Sequence, residues 1–110
     1  MRSILFYILA LFSVFTMVKA QSVVVQGKVT DETGAPMDMV HIRLSRGSIG
    51  TLSNFKGEYD LRVGKSDTLR IIFTSLGYKR VERVVNTNVK DGEKVSLNVQ
   101  MLPNTAVIND

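Results

Sequence analysis

The stretch "GTLSNFKGEYDL", Gly50 to Leu61, decides how the chain is read. Two glycines flank a polar cluster of Ser53, Asn54 and Lys56, and an alternating run follows. Such a cluster can grip an anionic ligand or make a tight turn between strands. A phosphate loop needs a helix behind it to aim backbone N–H groups at the anion. The residues after Gly57, "EYDLRV", instead place Tyr59, Leu61 and Val63 against Glu58, Asp60 and Arg62. That is the period of two of a half-buried strand. The stretch is therefore a strand–turn–strand corner. Gly50-Thr51 closes a short strand, Ser53 to Lys56 make the turn, and Gly57 admits the chain to the next strand. Phe55 is expected to fold back as a plug over the end of the core.

The same alternation runs outward in both directions. "VVVQGKV" places Val23, Val25 and Val29 on one face, and "MVHIRLS" places Val40, Ile42 and Leu44 there. "TLRIIFT" gives Leu69, Ile71 and Phe73 with Arg70 outward, and "VSLNVQM" gives Val95, Leu97, Val99 and Met101. "YKRVERVVNTNV" is rich in β-formers with broken alternation, which predicts a bulge or an edge position. Turn residues separate the runs: "DETGAP" from Asp31, "GKSD" from Gly64, and "KDGE", whose Asp91-Gly92 pair is a hairpin signal. About seven short strands with polar turns, and no helical period, predict an antiparallel β-sandwich.

The first twenty residues stand apart. Arg2 precedes the apolar run "ILFYILALFSVFTMV", and "VKA" leads to Gln21. This is the layout of a secretory signal peptide cut after Ala20. A retained membrane anchor is the alternative, but the run is short of the roughly 20 residues that span a bilayer. Residues 21–102 are expected to form the domain and residues 103–110 a C-terminal tail. A domain of this size buries only about 60–65% of its unfolded surface. Without any cysteine it must stand on packing alone, although export would permit disulfides. Loss of Arg2 and Lys19 lowers the formal charge from +4 to +2, so the basic pI is partly the leader's and does not point to nucleic acid.

The residues also argue against catalysis. His41, the only histidine, alternates with Val40 and Ile42 on a strand and reads as an exposed strand residue. There is no Gly-x-Ser-x-Gly elbow, and one histidine without cysteine cannot assemble a structural zinc site. The carboxylates are scattered through turns, with no Asp-x-Asp-x-Asp-Gly calcium loop. No catalytic, cofactor or metal residue is therefore assigned. Lys79, Arg80 and Arg83 form the densest basic patch. They are either a solvated, edge-protecting face or a docking surface for an acidic partner or for anionic lipopolysaccharide.

Three motifs in order resemble the carboxypeptidase regulatory-like domain. Val25, Gly27, Val29, Asp31, Gly34 and Pro36 match its V-x-G-x-V-x-D strand and G-x-P turn. Gly50, Thr51, Gly57, Tyr59 and Leu61 match its G-T-x-T-D-x-x-G-x-F/Y-x-L stretch. Asp67, Leu69, Gly77 and Tyr78 match its D-x-L strand and G-Y pair. Ser53 and Asn54 stand where the family usually has Thr and Asp; Asn keeps the local turn bonds, whereas a cation held by that carboxylate would be lost. The resemblance implies a transthyretin-like seven-stranded sandwich with no catalytic activity and no cofactor. It also implies a setting: the N-terminal extension of a TonB-dependent outer-membrane receptor, exported and in contact with a protein partner in the periplasm or outer membrane. The tail "MLPNTAVIND" resembles the lead-in to a plug domain, so the 110 residues are expected to be the front of a longer protein. A freestanding periplasmic or surface module that binds a glycan or adhesion partner is the competing reading.

Overall fold

The computed structural model describes residues 22–104; the expected leader and residues 105–110 lie outside the described residues. Eight strands and no helix make up the described chain. They are β1 (Val23–Thr30), β2 (His41–Leu44), β3 (Gly50–Leu52), β4 (Glu58–Val63), β5 (Leu69–Thr74), β6 (Val81–Val85), β7 (Lys94–Ser96) and β8 (Val99–Gln100). One sheet has the order β4-β1-β7, with β8 continuing beside β1, and the other has the order β3-β2-β5-β6. The two sheets enclose a single core.

The inward residues read from the alternation fill that core. Val23, Val25 and Val29 come from β1, Tyr59, Leu61 and Val63 from β4, and Ile71 and Phe73 from β5. Val40, Ile42, Val99 and Met101 complete it, and Leu44, Leu69, Val95 and Leu97 pack around it partly buried. Among the described residues the core runs from Val23 to Met101. Apolar burial at about 25 cal/mol per Å2 is what holds a cysteine-free sandwich together.

Two details differ from the sequence reading. The last run is not one strand: it breaks at Leu97 and Asn98 into β7 and β8, so the expected seven strands become eight. Both halves pair with β1 in parallel, Val25 opposite Val95 and Val29 opposite Val99, while the other pairings are antiparallel. Asp91-Gly92 accordingly makes a turn but not a hairpin. Glu93 N–H donates to Lys90 C=O at 3.0 Å across a glycine with φ of 81°, yet the strands it joins, β6 and β7, belong to different sheets. The edge position expected for "VERVV" is correct, because β6 ends the second sheet.

The break in β7–β8 has a cause on β1. Gly27 faces inward opposite Tyr59. With no side chain there, the Tyr59 ring reaches across β1 and its hydroxyl donates to Leu97 C=O at 2.6 Å. Leu97 N–H donates to Gln26 C=O at 2.8 Å, and Lys28 N–H donates to Asn98 Oδ1 at 2.9 Å. Both backbone groups of Leu97 are thus satisfied within the break. Tyr59 also meets Phe73 edge to face, ring centroids 5.6 Å apart. Burial pushes the Tyr59 phenol well above its ordinary pKa, so it remains a hydrogen-bond donor at any physiological pH.

A buried hydroxyl locks the opposite end. Thr87 is fully buried; its Oγ1 accepts from Ser66 N–H at 2.9 Å and donates to Gly64 C=O at 2.9 Å. Its own N–H donates to Ser66 C=O at 2.8 Å. The loop between β4 and β5 is thereby fixed to the segment after β6. Replacing Thr87 by Val keeps the shape but leaves a buried donor without its acceptor. We expect Thr87→Val to lower the unfolding free energy by about 1–3 kcal/mol, read from urea denaturation.

Candidate functional site

The two glycine turns of the sequence motifs are the same structure built twice. Asp31 Oδ1 accepts from Thr33 N–H at 2.8 Å and Ala35 N–H at 3.0 Å, while Gly34 N–H donates to Asp31 C=O at 3.0 Å. Asn54 Oδ1 accepts from Lys56 N–H at 2.9 Å and Glu58 N–H at 3.0 Å, while Gly57 N–H donates to Asn54 C=O at 2.8 Å. Each turn closes with a bond from the first residue's N–H to the C=O four residues on, and each needs a glycine at positive φ, 87° at Gly34 and 77° at Gly57. Side-chain oxygens of Asp and Asn do this work equally, because the acceptor needed is a single lone-pair site. The Thr33 hydroxyl and N–H hold the Asp31 carboxyl below its ordinary pKa, outweighing partial desolvation. Asn54 in the second turn supplies no negative charge. The opening stretch is a turn.

The turns dock on one another. Val29 N–H donates to Gly57 C=O at 2.8 Å, Met37 N–H donates to Val29 C=O at 3.0 Å, and Pro36 bridges Thr30. Ser53, expected in an exposed turn, is instead buried. Its Oγ accepts from Val40 N–H at 2.9 Å and donates to Met37 C=O at 2.7 Å, tying down the strandless segment before β2. Gly50 and Thr51 open β3 rather than closing a strand. Phe55 does not plug the core: it is 73% exposed, with the Lys56 ammonium 5.8 Å from its ring centroid. Asn54 captures the N–H groups of Lys56 and Glu58, which turns residues 55 and 56 outward, and Met37 seals that end of the core in its place.

These features share one end of the sandwich, the end from which the described chain leaves. There Lys79 N–H donates to Leu102 C=O at 2.9 Å, Asn104 N–H donates to Gly77 C=O at 2.8 Å, and Tyr78 bridges Pro103. Burial, and then the nearby charges of Glu32 and Asp31, push the Tyr78 phenol upward. Five large apolar side chains are exposed at this end: Met39, Leu52, Phe55, Leu76 and Leu102. Leu76, at the tip of the β5–β6 hairpin next to Gly77 (φ 86°), is 99% exposed. Met39 holds a φ of 59°, uncommon for a residue with a side chain.

The basic patch divides. Lys79, which follows the hairpin that carries Leu76, bonds Leu102 through its backbone, and Arg80 pairs with Glu82 at 3.3 Å. Glu82 also meets Arg70 at 3.6 Å, so these charges form a small network on the outer face of the second sheet. Arg83 points to the opposite side of β6, level with Ile71, and its Nη1 donates to Glu82 C=O at 3.0 Å. The sequence suggested the basic residues but not the apolar tips, because single exposed leucines in turns carry no periodic signal.

Reactive groups are not gathered anywhere among the described residues. His41 lies exposed on β2, between Leu52 and Thr74 in register, and no three His, Cys, Asp or Glu side chains group to hold a metal. An open, polar groove of about 570 Å3 runs by Gln26, Lys28, Asn54, Glu58, Asp60 and Ser96.

No curated protein sequence matches the chain. Solved structures do match in fold. A 3-chlorocatechol 1,2-dioxygenase from Rhodococcus opacus 1CP superimposes with a TM-score of 0.61 at 10% identity, over 78% of this chain and 62% of that one. A cohesin–X-dockerin complex from Acetivibrio cellulolyticus gives 0.60 at 13% identity, over 79% of this chain and 62% of that one. A protein of unknown function from Bacteroides fragilis NCTC 9343 gives 0.57 at 21% identity, over 82% of this chain and 31% of that one. At these identities the likeness is one of fold alone, and the chain spans less than two thirds of each partner's length. The sequence itself is more specific: the pattern of the CarboxypepD_reg-like domain matches residues 25–110, over both glycine turns, the Gly27–Tyr59 pair and the Gly77-Tyr78 hairpin, and the chain belongs to that family.

Proposed function

We propose that this protein is a non-enzymatic, exported interaction module, the N-terminal accessory domain of a TonB-dependent outer-membrane transporter. Carboxypeptidase regulatory-like domains are non-catalytic, and the signal-peptide layout of residues 1–20 supports export. The observation that carries the reading is the exit end, where Leu76 and Leu102 stand in solvent and the Lys79 backbone bonds Leu102. Exposed apolar groups rimmed by charge mark protein contacts. The contact made there is with the plug, the energy-transducing partner or a neighbouring component.

The test is site-specific crosslinking in cells from residues at this end, followed by fractionation. A crosslinked species in the outer membrane is expected. Burying one leucine is worth about 1.5–3 kcal/mol, so Leu76→Asp with Leu102→Asp should weaken partner capture tenfold or more while the melting temperature stays put. If deletion of residues 21–101 leaves both partner binding and uptake unchanged, the reading fails. The polar groove favours a second reading, a freestanding module that binds a glycan; a glycan array without hits would remove it.

A further inference from the structure

We propose that the free edge of β4 pairs with itself, so that two copies of the domain join through an antiparallel β4–β4 contact centred on Leu61. This goes beyond the transport reading and does not depend on it.

The hydrogen-bond phase of β4 fixes which groups are available. Val29 N–H donates to Gly57 C=O, and in the β1–β4 register Gly27 faces Tyr59 and Val25 faces Leu61. In an antiparallel ladder bonded and non-bonded pairs alternate. Tyr59, Leu61 and Val63 therefore spend their backbone groups on β1, while those of Glu58, Asp60 and Arg62 point away from it. Glu58 confirms the phase, because its N–H and C=O are both taken by Asn54. Asp60 and Arg62 are left with an N–H and a C=O each on the open side, and β4 is the end strand of its sheet. This edge has no proline, bulge or inward-pointing charge; its guard is the exposed charges of Glu58, Asp60 and Arg62, which oppose pairing with any strand that does not match them. The β6 edge differs, since Arg83 sits there on the side of Ile71 and Phe73.

The side chains select both the partner and the register. A two-fold contact places residues of the same face opposite each other. Centred on Asp60 it would oppose two aspartates, and centred on Arg62, two arginines. Centred on Tyr59 it would oppose Glu58 and Asp60. Centred on Leu61, Asp60 of each copy faces Arg62 of the other, giving two opposite-charge pairs. Asp60 and Arg62 are both exposed, and neither has an ion-pair partner among the described residues. In this register the free N–H and C=O of Asp60 meet those of Arg62 in the second copy, so four backbone bonds form and the two sheets become one.

The experiment is sedimentation velocity on the chain from Gln21 onward, which contains every core residue described, across micromolar to near-millimolar concentrations at low salt. We expect the parent chain to approach twice the monomer mass. Arg62→Asp should weaken association tenfold or more, because it puts like charges opposite each other, and Asp60→Arg should do the same. The double variant Asp60→Arg with Arg62→Asp restores the opposite pairs and should restore association. Circular dichroism would confirm that these surface variants keep the fold. A parent chain that is monomeric throughout overturns the proposal. So do single variants that associate like the parent, or a double variant that stays as weak as the singles.

Discussion

Gly27→Ala is expected to lower the stability of the domain by about 3 kcal/mol or more. A Cβ at this position would lie 1.9 Å from the Leu97 carbonyl oxygen and 2.6 Å from its carbon. The obstacle is backbone, held by Tyr59 from one side and by Gln26 from the other, so no rotamer change relieves it. Overpacking a core typically costs about 1–3 kcal/mol. Displacing Leu97 also breaks the Tyr59 hydrogen bond, about 1 kcal/mol more. For a domain of this size each kcal/mol moves the melting temperature by roughly 4–8 °C, so a fall of more than about 10 °C is expected in calorimetry. Gly64→Ala is the matched control. That glycine has open space around its Cβ position and no positive φ, and its substitution should stay within about 0.5 kcal/mol. Equal effects at the two glycines would mean that Tyr59 does not depend on the gap at position 27.

Gly57→Ala should be comparably damaging, and its twin shows why. Gly57 and Gly34 occupy the same place in identical turns at nearly the same positive φ, where an L side chain costs about 1–2 kcal/mol. Around Gly34 a Cβ meets nothing within 4 Å; at Gly57 it would meet Val29 C=O at 2.5 Å, Pro36 Cβ at 3.1 Å and Met37 N at 3.2 Å. Gly34→Ala should therefore show the backbone cost alone, and Gly57→Ala that cost plus a clash, for a total of about 3 kcal/mol or more. Denaturant midpoints of the two variants measure the difference directly. A Gly57 variant no worse than the Gly34 variant would show that the two turns are not locked together.

Much of the sandwich was legible because alternation reports burial directly. Val23, Val25, Val29, Tyr59, Leu61, Ile71 and Phe73 were all placed inward, and each is buried. The pairing partner of β7 was not legible. Asp91-Gly92 states that the chain turns there, but local chemistry cannot say whether the returning strand joins the sheet it left. The buried hydroxyls of Ser53 and Thr87 were equally hidden, since a serine in a polar stretch and a threonine after an edge strand look like surface residues. Their burial depends on backbone groups far along the chain, Met37 and Gly64. Phe55 was misplaced for the opposite reason: a large ring suggests the core, but the bonding of Asn54 decides which way the turn faces. Of the exit end, Lys79 and Arg80 were visible as part of the densest basic patch, while the exposure of Leu76 is a property of the hairpin that carries it.

The parallel pairing of β1 with β7 and β8 also has a mechanical meaning. The described chain enters at the start of β1 and leaves after β8, at opposite ends of the sandwich, and these strands lie side by side. Tension applied between the two ends runs along both strands and perpendicular to the hydrogen bonds that join them. The bonds are then loaded together in shear and cannot peel apart singly. Between two anchored points, the domain is a link that resists stretching.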